Sequence, residues 1–262
     1  MNPRPVVLIT GAARRIGRAM ALEMARAGHD VAVHYRASVG EAQALVAELQ
    51  TLGVQAQAFG ADLAIEAECE ALLPAVLAQF GRMDALVNNA SSFAHDDVAS
   101  FSYALMEQMW RANTGPAVLL ARALHRHALA AQRQACVVNV LDQKLWNPNP
   151  DYFSYTLSKA ALQCANTLLA QALAPSVRVC AVAPGLTLPS GPMSEESFAQ
   201  AHRMTPLQRA STPDDIARAV RFLIESPAIT GTTLLVDGGQ HLMAQPRDVM
   251  YLAPGGSTNQ GH

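Results

Sequence analysis

The stretch Thr10-Gly11-Ala12-Ala13-Arg14-Arg15-Ile16-Gly17 follows the apolar run Val6-Val7-Leu8-Ile9 and leads directly into a helical pattern over residues 15–27. A short apolar run, a glycine-bearing turn and an amphipathic helix in that order make the first half of a βαβ unit. Gly28 stops the helix, and a second strand is expected over residues 31–35. The rhythm then repeats: a helix over 41–52 punctuated by Gly53, a strand over 54–58, a helix over 65–80 punctuated by Gly81, and a strand over 85–88. A unit of roughly thirty residues is the period of a parallel sheet whose crossovers are helices.

Further along, residues 105–130 read as one long helix, 135–140 as a strand, 153–173 as a helix and 177–183 as a strand. A polar segment over 187–201 interrupts the rhythm, inside a substrate loop expected at about 185–205, and such a segment past the carboxyl end of a strand is a candidate lid. A helix over 214–226 and a strand over 233–236 complete the pattern. The expected fold is α/β, a Rossmann-type doubly wound parallel β-sheet with helices on both faces, as a single domain over residues 1–242. The tail 243–262 is rich in Pro and Gly and has two readings, a mobile terminus or a segment packed on a neighbouring subunit.

Composition agrees with one core. Of 262 residues, 50% are hydrophobic and 5% aromatic, with no internal linker or repeat. The net charge of −2 is spread without a basic block, which argues against a nucleic-acid surface and for small-molecule chemistry. Cys69, Cys136, Cys164 and Cys180 form no C-x-x-C pair and have no histidines at metal-ligand spacing, so free thiols and no metal centre are expected. No apolar run approaches the eighteen or so residues of a membrane span, and the first one is too short for a signal segment; the expected location is the cytoplasm.

At the first βα turn, backbone N–H groups and the helix dipole favour a pyrophosphate, and glycine allows its close approach. The second strand ends in His34-Tyr35-Arg36, where an NAD-binding protein presents a carboxylate to the adenosine ribose. No acid stands there. Arg36 and Ser38 can donate to a 2′-phosphate, with Arg14 and Arg15 adding charge, so NADP (NADPH) is the expected cofactor.

Tyr155-Thr156-Leu157-Ser158-Lys159 places a phenol and an ammonium one turn apart on one helix face. Hydride reduction of a C=O or C=N bond also needs a proton donor. An ammonium at about 4 Å, with an effective dielectric of about 20, stabilises a phenolate by roughly 4 kcal/mol, enough to bring Tyr155 toward physiological pH. The same spacing also describes an exposed helical pair. Its company selects the catalytic reading: the glycine turn upstream, Val138-Asn139-Val140 before it, Asn88-Asn89-Ala90 at the fourth strand, and Asn113, a poor helix former suited to a kink and to a water leading to Lys159.

With these residues in place, the chain to about Leu242 resembles the short-chain dehydrogenase/reductase family. That resemblance implies a dinucleotide on the turn at Gly11, Ile16 and Gly17, an adenine contact at Asp62-Leu63, nicotinamide contacts at Pro184, Gly185 and Thr187, ribose contacts around Asn89, Ala90 and Ser91, a relay at Asn113, and a homotetramer. Two departures narrow it. Arg15 replaces the central glycine of the turn, and Asp142 replaces the serine expected thirteen residues before Tyr155. Together with His34-Tyr35 and Asn89-Ala90-Ser91-Ser92-Phe93, they resemble the pteridine reductase subgroup. There Arg15 would contact cofactor and substrate, Phe93 would stack the pterin, Asp142 would work with Tyr155, and Ser91 and Leu186 would line the substrate site.

Chemistry agrees: an aromatic face suits a flat bicyclic ring, and a carboxyl suits a nitrogen-rich one. Asp142 also has a purely local reading as a cap for the loop 143–151. The expected function is NADPH-dependent reduction of a pterin or dihydropterin. The alternatives are a carbonyl reductase acting on a 3-oxoacyl group or a small ketone, and a non-catalytic NADPH-sensing protein, whose mark would be loss of Tyr155 or Lys159.

Overall fold

A computed structural model describes residues 4–189, 198, 203, 205–209, 211–248 and 251. Seven strands form one parallel sheet in the order β3-β2-β1-β4-β5-β6-β7: β1 (Val6–Ile9), β2 (Asp30–Tyr35), β3 (Ala56–Gly60), β4 (Ala85–Asn88), β5 (Ala135–Val140), β6 (Val177–Pro184) and β7 (Thr233–Val236). The order reverses between β1 and β4. That switch point opens a crevice beyond the carboxyl ends of the strands, where open α/β sheets bind ligands.

The pleat sorts the core. Val7, Ile9, Val31, Val33, Val87, Val138 and Cys180 face one side, covered by α1 (Arg15–Arg26), α2 (Val39–Thr51) and α7 (Pro213–Glu225) through Met20, Met24, Leu45, Leu49, Val220 and Leu223. Leu8, Ala32, Leu86, Val137 and Val179 face the other, covered by α3 (Glu66–Phe80), α5 (Gly115–Ala130) and α6 (Phe153–Ala172) through Leu72, Val76, Leu120, Leu124 and Ala170. Successive side chains alternate because the strand period is two, and strands covered on both sides read as unbroken apolar runs.

The expected helix over 105–130 is two helices, α4 (Tyr103–Asn113) and α5, divided at Thr114. Pro116 is the cause. It has no N–H for the carbonyl of Ala112, and its ring crowds that carbonyl, so the helix restarts with proline in its first turn. The third strand lies two residues later than expected, because Val54 and Gln55 belong to the turn out of α2. Most of the candidate lid, residues 190–197, 199–202 and 204, lies outside the described residues.

Over its described residues 243–248 the tail packs on its own chain. Arg247 pairs with Asp151 of the same chain through Nε at 3.0 and 2.9 Å, the Asp248 N–H donates to the same carboxylate at 2.7 Å, and the Asn147 amide donates to the Met243 carbonyl. A buried carboxylate that accepts both a guanidinium and a main-chain amide holds a strap better than an exposed pair does. Among the described residues, no helix is long and apolar enough to cross a membrane.

Candidate active site

Two clefts share the switch point. The first, of about 400 Å³, lies at the carboxyl ends of β1, β2 and β4 and takes in the glycine turn, Ser38, Asp62 and Leu63. The turn enters α1 without a side-chain cap and with no acid in the first helical turn, so free N–H groups and the positive end of the helix dipole face the cleft. Gly11 has φ +63°, and Arg15 takes the same left-handed region at φ +54°. A Cβ on Gly17 would stand 2.3 Å from the Gly11 carbonyl oxygen and 2.9 Å from Ala12 Cα. Only glycine fits there.

Side chains brought in from other strands hold this turn. The Thr10 hydroxyl oxygen accepts the N–H groups of Asn89 and Ala90, both at 2.9 Å, and the Asn89 amide donates to the Thr10 carbonyl at 2.8 Å. His34, expected as a cofactor contact, belongs to the frame. Its Nδ1 accepts the Gly11 N–H at 3.0 Å while Nε2 lies 3.0 Å from the Ala61 carbonyl, so neither ring nitrogen is left for a phosphate. This needs the neutral ring, and burial lowers the His34 pKa. Exposed Arg36 stands beyond β2, Tyr35 packs beside Gly60, and Arg14 lies 3.5 Å from Glu41.

This cleft fits a dinucleotide on its own chemistry: a backbone cradle that a Cβ would fill, a helix N-terminus, and Arg36 at the position where NAD-binding proteins carry an acid. With one bound, Gly11, Ile16 and Gly17 would carry the pyrophosphate, Arg36 and Ser38 the 2′-phosphate, and Asp62 and Leu63 the adenine.

The second cleft, of about 440 Å³, adjoins the first through Arg15, Ile16, Asn89 and Ser91. Tyr155 and Lys159 reach it from α6, Asp142 from the end of β5, and Pro184, Gly185, Leu186 and Thr187 from the end of β6. The Tyr155 hydroxyl donates to Asp142 Oδ2 at 2.8 Å, and Asp142 Oδ1 accepts the Lys144 N–H at 2.9 Å. One carboxyl group therefore does both things expected of it, capping the 3₁₀ turn Gln143–Trp146 and meeting the phenol. Phe93 lies against Tyr152 with ring centroids 4.1 Å apart and meets Tyr155 edge-on at 4.7 Å. It is 49% exposed, which leaves ring surface for a second stacking partner.

The electrostatics differ from expectation. Burial lowers Lys159 to about 8, and its ammonium donates to the Val140 carbonyl at 2.8 Å. Burial and the adjacent Asp142 carboxylate drive Tyr155 well above the ordinary phenol range, opposite to the lowering expected from Lys159. The first physical reason is burial, which strips solvent from a phenolate, and the second is distance. Lys159 Nζ lies 5.8 Å from the ring centroid, whereas a carboxylate oxygen is bonded to the phenol oxygen itself. Burial also raises Asp142.

Asn113 differs too. Its oxygen accepts from the Ser91 hydroxyl at 3.1 Å and the Ser92 N–H at 2.7 Å; its amide donates to the Ser92 carbonyl and to the Ser158 hydroxyl at 2.9 Å. All four positions of the carboxamide are used, so it clamps the Ser91-Ser92 segment to α6 instead of leading a water toward Lys159.

Sequence reasoning missed several supports. Gln240 accepts the Leu186 N–H at 3.0 Å and so fixes the loop after β6. Buried Asn88, Asn139 and Asn166 pass amide hydrogen bonds from β4 through β5 to α6 at 2.9 and 3.0 Å, tying the sheet to the helix that carries Tyr155. No local pattern marks Gln240 or Asn166. Thr187 spends its hydroxyl on the Gly185 carbonyl and on Ser211, both at 2.9 Å, so it braces its loop. Among the described residues, no group of acidic, histidine and cysteine side chains could hold a metal.

Known proteins bear on this geometry. Residues 11–241 match the family model described as Enoyl-(Acyl carrier protein) reductase. The chain is 33% identical over 245 residues to a 3-oxoacyl-[acyl-carrier-protein] reductase FabG of Staphylococcus aureus, covering 90% of this chain and 97% of that one. Two crystal structures of FolM alternative dihydrofolate reductase 1 with NADP are similar. That from Brucella canis is 39% identical with a TM-score of 0.87, covering 94% of this chain and 97% of its own. That from Brucella suis is 40% identical with a TM-score of 0.88, covering 94% and 98%. With the glycine turn, the buried Tyr155 and Lys159 and these matches together, the chain belongs to the short-chain dehydrogenase/reductase family and is an oxidoreductase.

Proposed function

We propose that the protein is an NADPH-dependent reductase of pterins or dihydropterins. One observation carries the reading: a carboxyl group, Asp142, stands hydrogen-bonded to Tyr155 where a simple carbonyl reductase needs only a hydroxyl, beside the part-exposed ring of Phe93. The FolM structures with NADP support both the ring chemistry and the cofactor.

When bound, the cofactor supplies a hydride to the carbon of a ring C=N bond. The chain's residues do the rest. Phe93 stacks on the flat heterocycle, and Arg15, which lines both clefts, orients it. Tyr155 keeps its proton at neutral pH because its pKa is raised, and it gives that proton to the ring nitrogen as the hydride arrives at carbon. Asp142 aims the phenol through the 2.8 Å bond and, with its own pKa raised, can return a proton to it. Lys159, held by the Val140 carbonyl, would take the ribose hydroxyls of the bound cofactor. The product gains one C–H and one N–H bond.

Oxidation of NADPH with dihydrobiopterin, dihydromonapterin and dihydrofolate tests this. Turnover of at least one is expected; activity on a 3-oxoacyl substrate with none on these would replace it by the second reading, a 3-oxoacyl reductase, which the relative from Staphylococcus aureus supports. We also propose a homotetramer, because Trp110, Leu157 and Leu168 on α4 and α6 leave an apolar face exposed. Its mass by light scattering checks this.

A further inference from the structure

Helix α6 carries Tyr155 and Lys159, yet its start has no cap of its own. The residue before it, Tyr152, stands in the left-handed region at φ 55° and makes no side-chain cap hydrogen bond. An aromatic residue keeps that conformation only where its surroundings hold it, and a helix start leaves its first N–H groups without partners inside the helix. Tyr155 lies in this first turn, so whatever fixes the turn also fixes the phenol.

The holder is Asp96, fifty-eight positions before Ser154. Its carbonyl takes the Phe153 N–H at 3.2 Å, one carboxylate oxygen takes the Ser154 N–H at 2.9 Å, and the other takes the Ser154 hydroxyl. Asp96 is 2% exposed and Ser154 is fully buried. A buried carboxylate that accepts at the positive end of a helix dipole holds more firmly than an exposed cap.

Asp96 belongs to the loop after β4 that also carries Phe93, and this loop meets α6 a second time one turn further on. Asn113 takes the Ser92 N–H at 2.7 Å and donates to the Ser158 hydroxyl at 2.9 Å, and that hydroxyl donates to the Tyr155 carbonyl at 2.7 Å. Ser154 and Ser158 thus form one row on the helix, with Tyr155 and Lys159 the row beside it. Together the two attachments set Tyr155 against the Phe93 ring, edge-on at 4.7 Å. They grip different things. Asn113 holds the Ser91-Ser92 segment next to Phe93, whereas Asp96 holds the first turn of α6. Loss of Asp96 therefore leaves the Phe93 segment attached and frees the turn that bears the phenol.

We propose that Asp96 is a positioning residue: by capping α6 from the Phe93 loop it holds the Tyr155 phenol where the proton is delivered. Asp96 lines neither cleft and acts through Tyr155. This rests on Tyr155 as the proton donor and is indifferent to whether a dihydropterin or a 3-oxoacyl group is reduced.

The test is a double-mutant cycle in kcat, measured with NADPH and whichever of dihydrobiopterin and acetoacetyl-CoA the wild type reduces. Asp96→Ala should lower kcat roughly ten- to hundredfold, as a misplaced catalytic group does, with each KM within about threefold. The solvent deuterium isotope effect should rise as proton delivery slows. In the Tyr155→Phe background the same change should cost less than about threefold, because no phenolic proton is left to misplace. Asp96→Asn, which can keep both contacts with Ser154, should restore most of the loss. Where melting temperature shows that Asp96→Ala fails to fold, Ser154→Ala carries the cycle. It loses the hydroxyl contact alone, and its fall in kcat, about threefold, should vanish in the Tyr155→Phe background.

An equal fall in both backgrounds, or kcat within about twofold of wild type in Asp96→Ala and Ser154→Ala alike, overturns the positioning role and leaves the substrate readings standing. If Tyr155→Phe itself keeps wild-type kcat, the proton-donor role fails and the role of Asp96 with it. A wild type that reduces neither probe overturns both substrate readings as well.

Discussion

The two clefts at the switch point are built in different ways. The dinucleotide cleft lies at the ends of β1, β2 and β4, and most of its lining comes from two short stretches, residues 11–17 and 34–38, joined by 61–64 and 89–92. The substrate cleft is made of side chains drawn from Arg15 to Asp248, across almost the whole chain. A backbone cradle follows from local sequence, because glycine at a βα turn fixes both the conformation and the free N–H groups. A side-chain constellation has no such local signature. Changes confined to Tyr155 should therefore leave the hold of the first cleft on phosphate and adenine intact, whereas hydride transfer needs both clefts.

Replacing Tyr155 by Phe gives the sharpest contrast. Loss of the proton donor should lower kcat by about 10²–10⁴-fold, with NADPH affinity changed less than threefold. A parallel loss of NADPH binding, measured by fluorescence titration, would break the separation of the clefts. Gly17→Ala is the reverse probe. A Cβ 2.3 Å from the Gly11 carbonyl oxygen must push backbone, so NADPH affinity should fall roughly ten- to hundredfold, an overpacking cost of about 1–3 kcal/mol. The helix content seen by circular dichroism should survive.

Arg36→Ala sharpens the comparison within the first cleft alone. Losing a charge-assisted hydrogen bond to a 2′-phosphate should weaken NADPH about tenfold and leave NADH unchanged, because NADH has no phosphate there. Equal weakening of both would place the phosphate elsewhere. The smallest effect is in pH. Lys159, lowered to about 8 by burial, is needed as the ammonium, so kcat/KM should fall about twofold by pH 8 and continue downward above it. For stability the sign is opposite: the unfolded lysine binds its proton up to about 10.4, so between about 8 and that value the folded chain gains stability as pH rises. A kcat/KM that stays flat to pH 9.5 would show that Lys159 works without its charge.

How much was legible follows the same division. Strands β4, β5 and β7 fall where the apolar runs placed them, since a strand buried on both faces has to be apolar throughout. The break between α4 and α5 was readable in principle from Pro116 and was overridden by the helical periodicity around it. The residues expected around the pyrophosphate, the 2′-phosphate and the adenine line the first cleft, whereas Tyr155, Lys159, Pro184, Gly185 and Thr187 line the second; His34 and Asn89 are frame, because whether a polar atom is used internally depends on what stands opposite in another strand. The shift of Tyr155 has the opposite sign to the one expected for a related reason: burial, and a carboxyl group thirteen residues away in sequence and 2.8 Å away in space, both raise it.

The sequence by itself determined the layered α/β architecture, the site of the glycine cradle and the identity of the phenol, the ammonium and the carboxyl group that meet near it. These depend on periodicity, on backbone conformations open to glycine and on residue chemistry, all of which are local. The tertiary structure decided which of those groups touch, what burial does to their protons, and that a strap from the far end of the chain puts Asp248 into the wall of the substrate cleft. The reason is physical: desolvation and Coulomb interaction depend on distance in space, and the sheet brings together residues that the chain keeps more than a hundred positions apart.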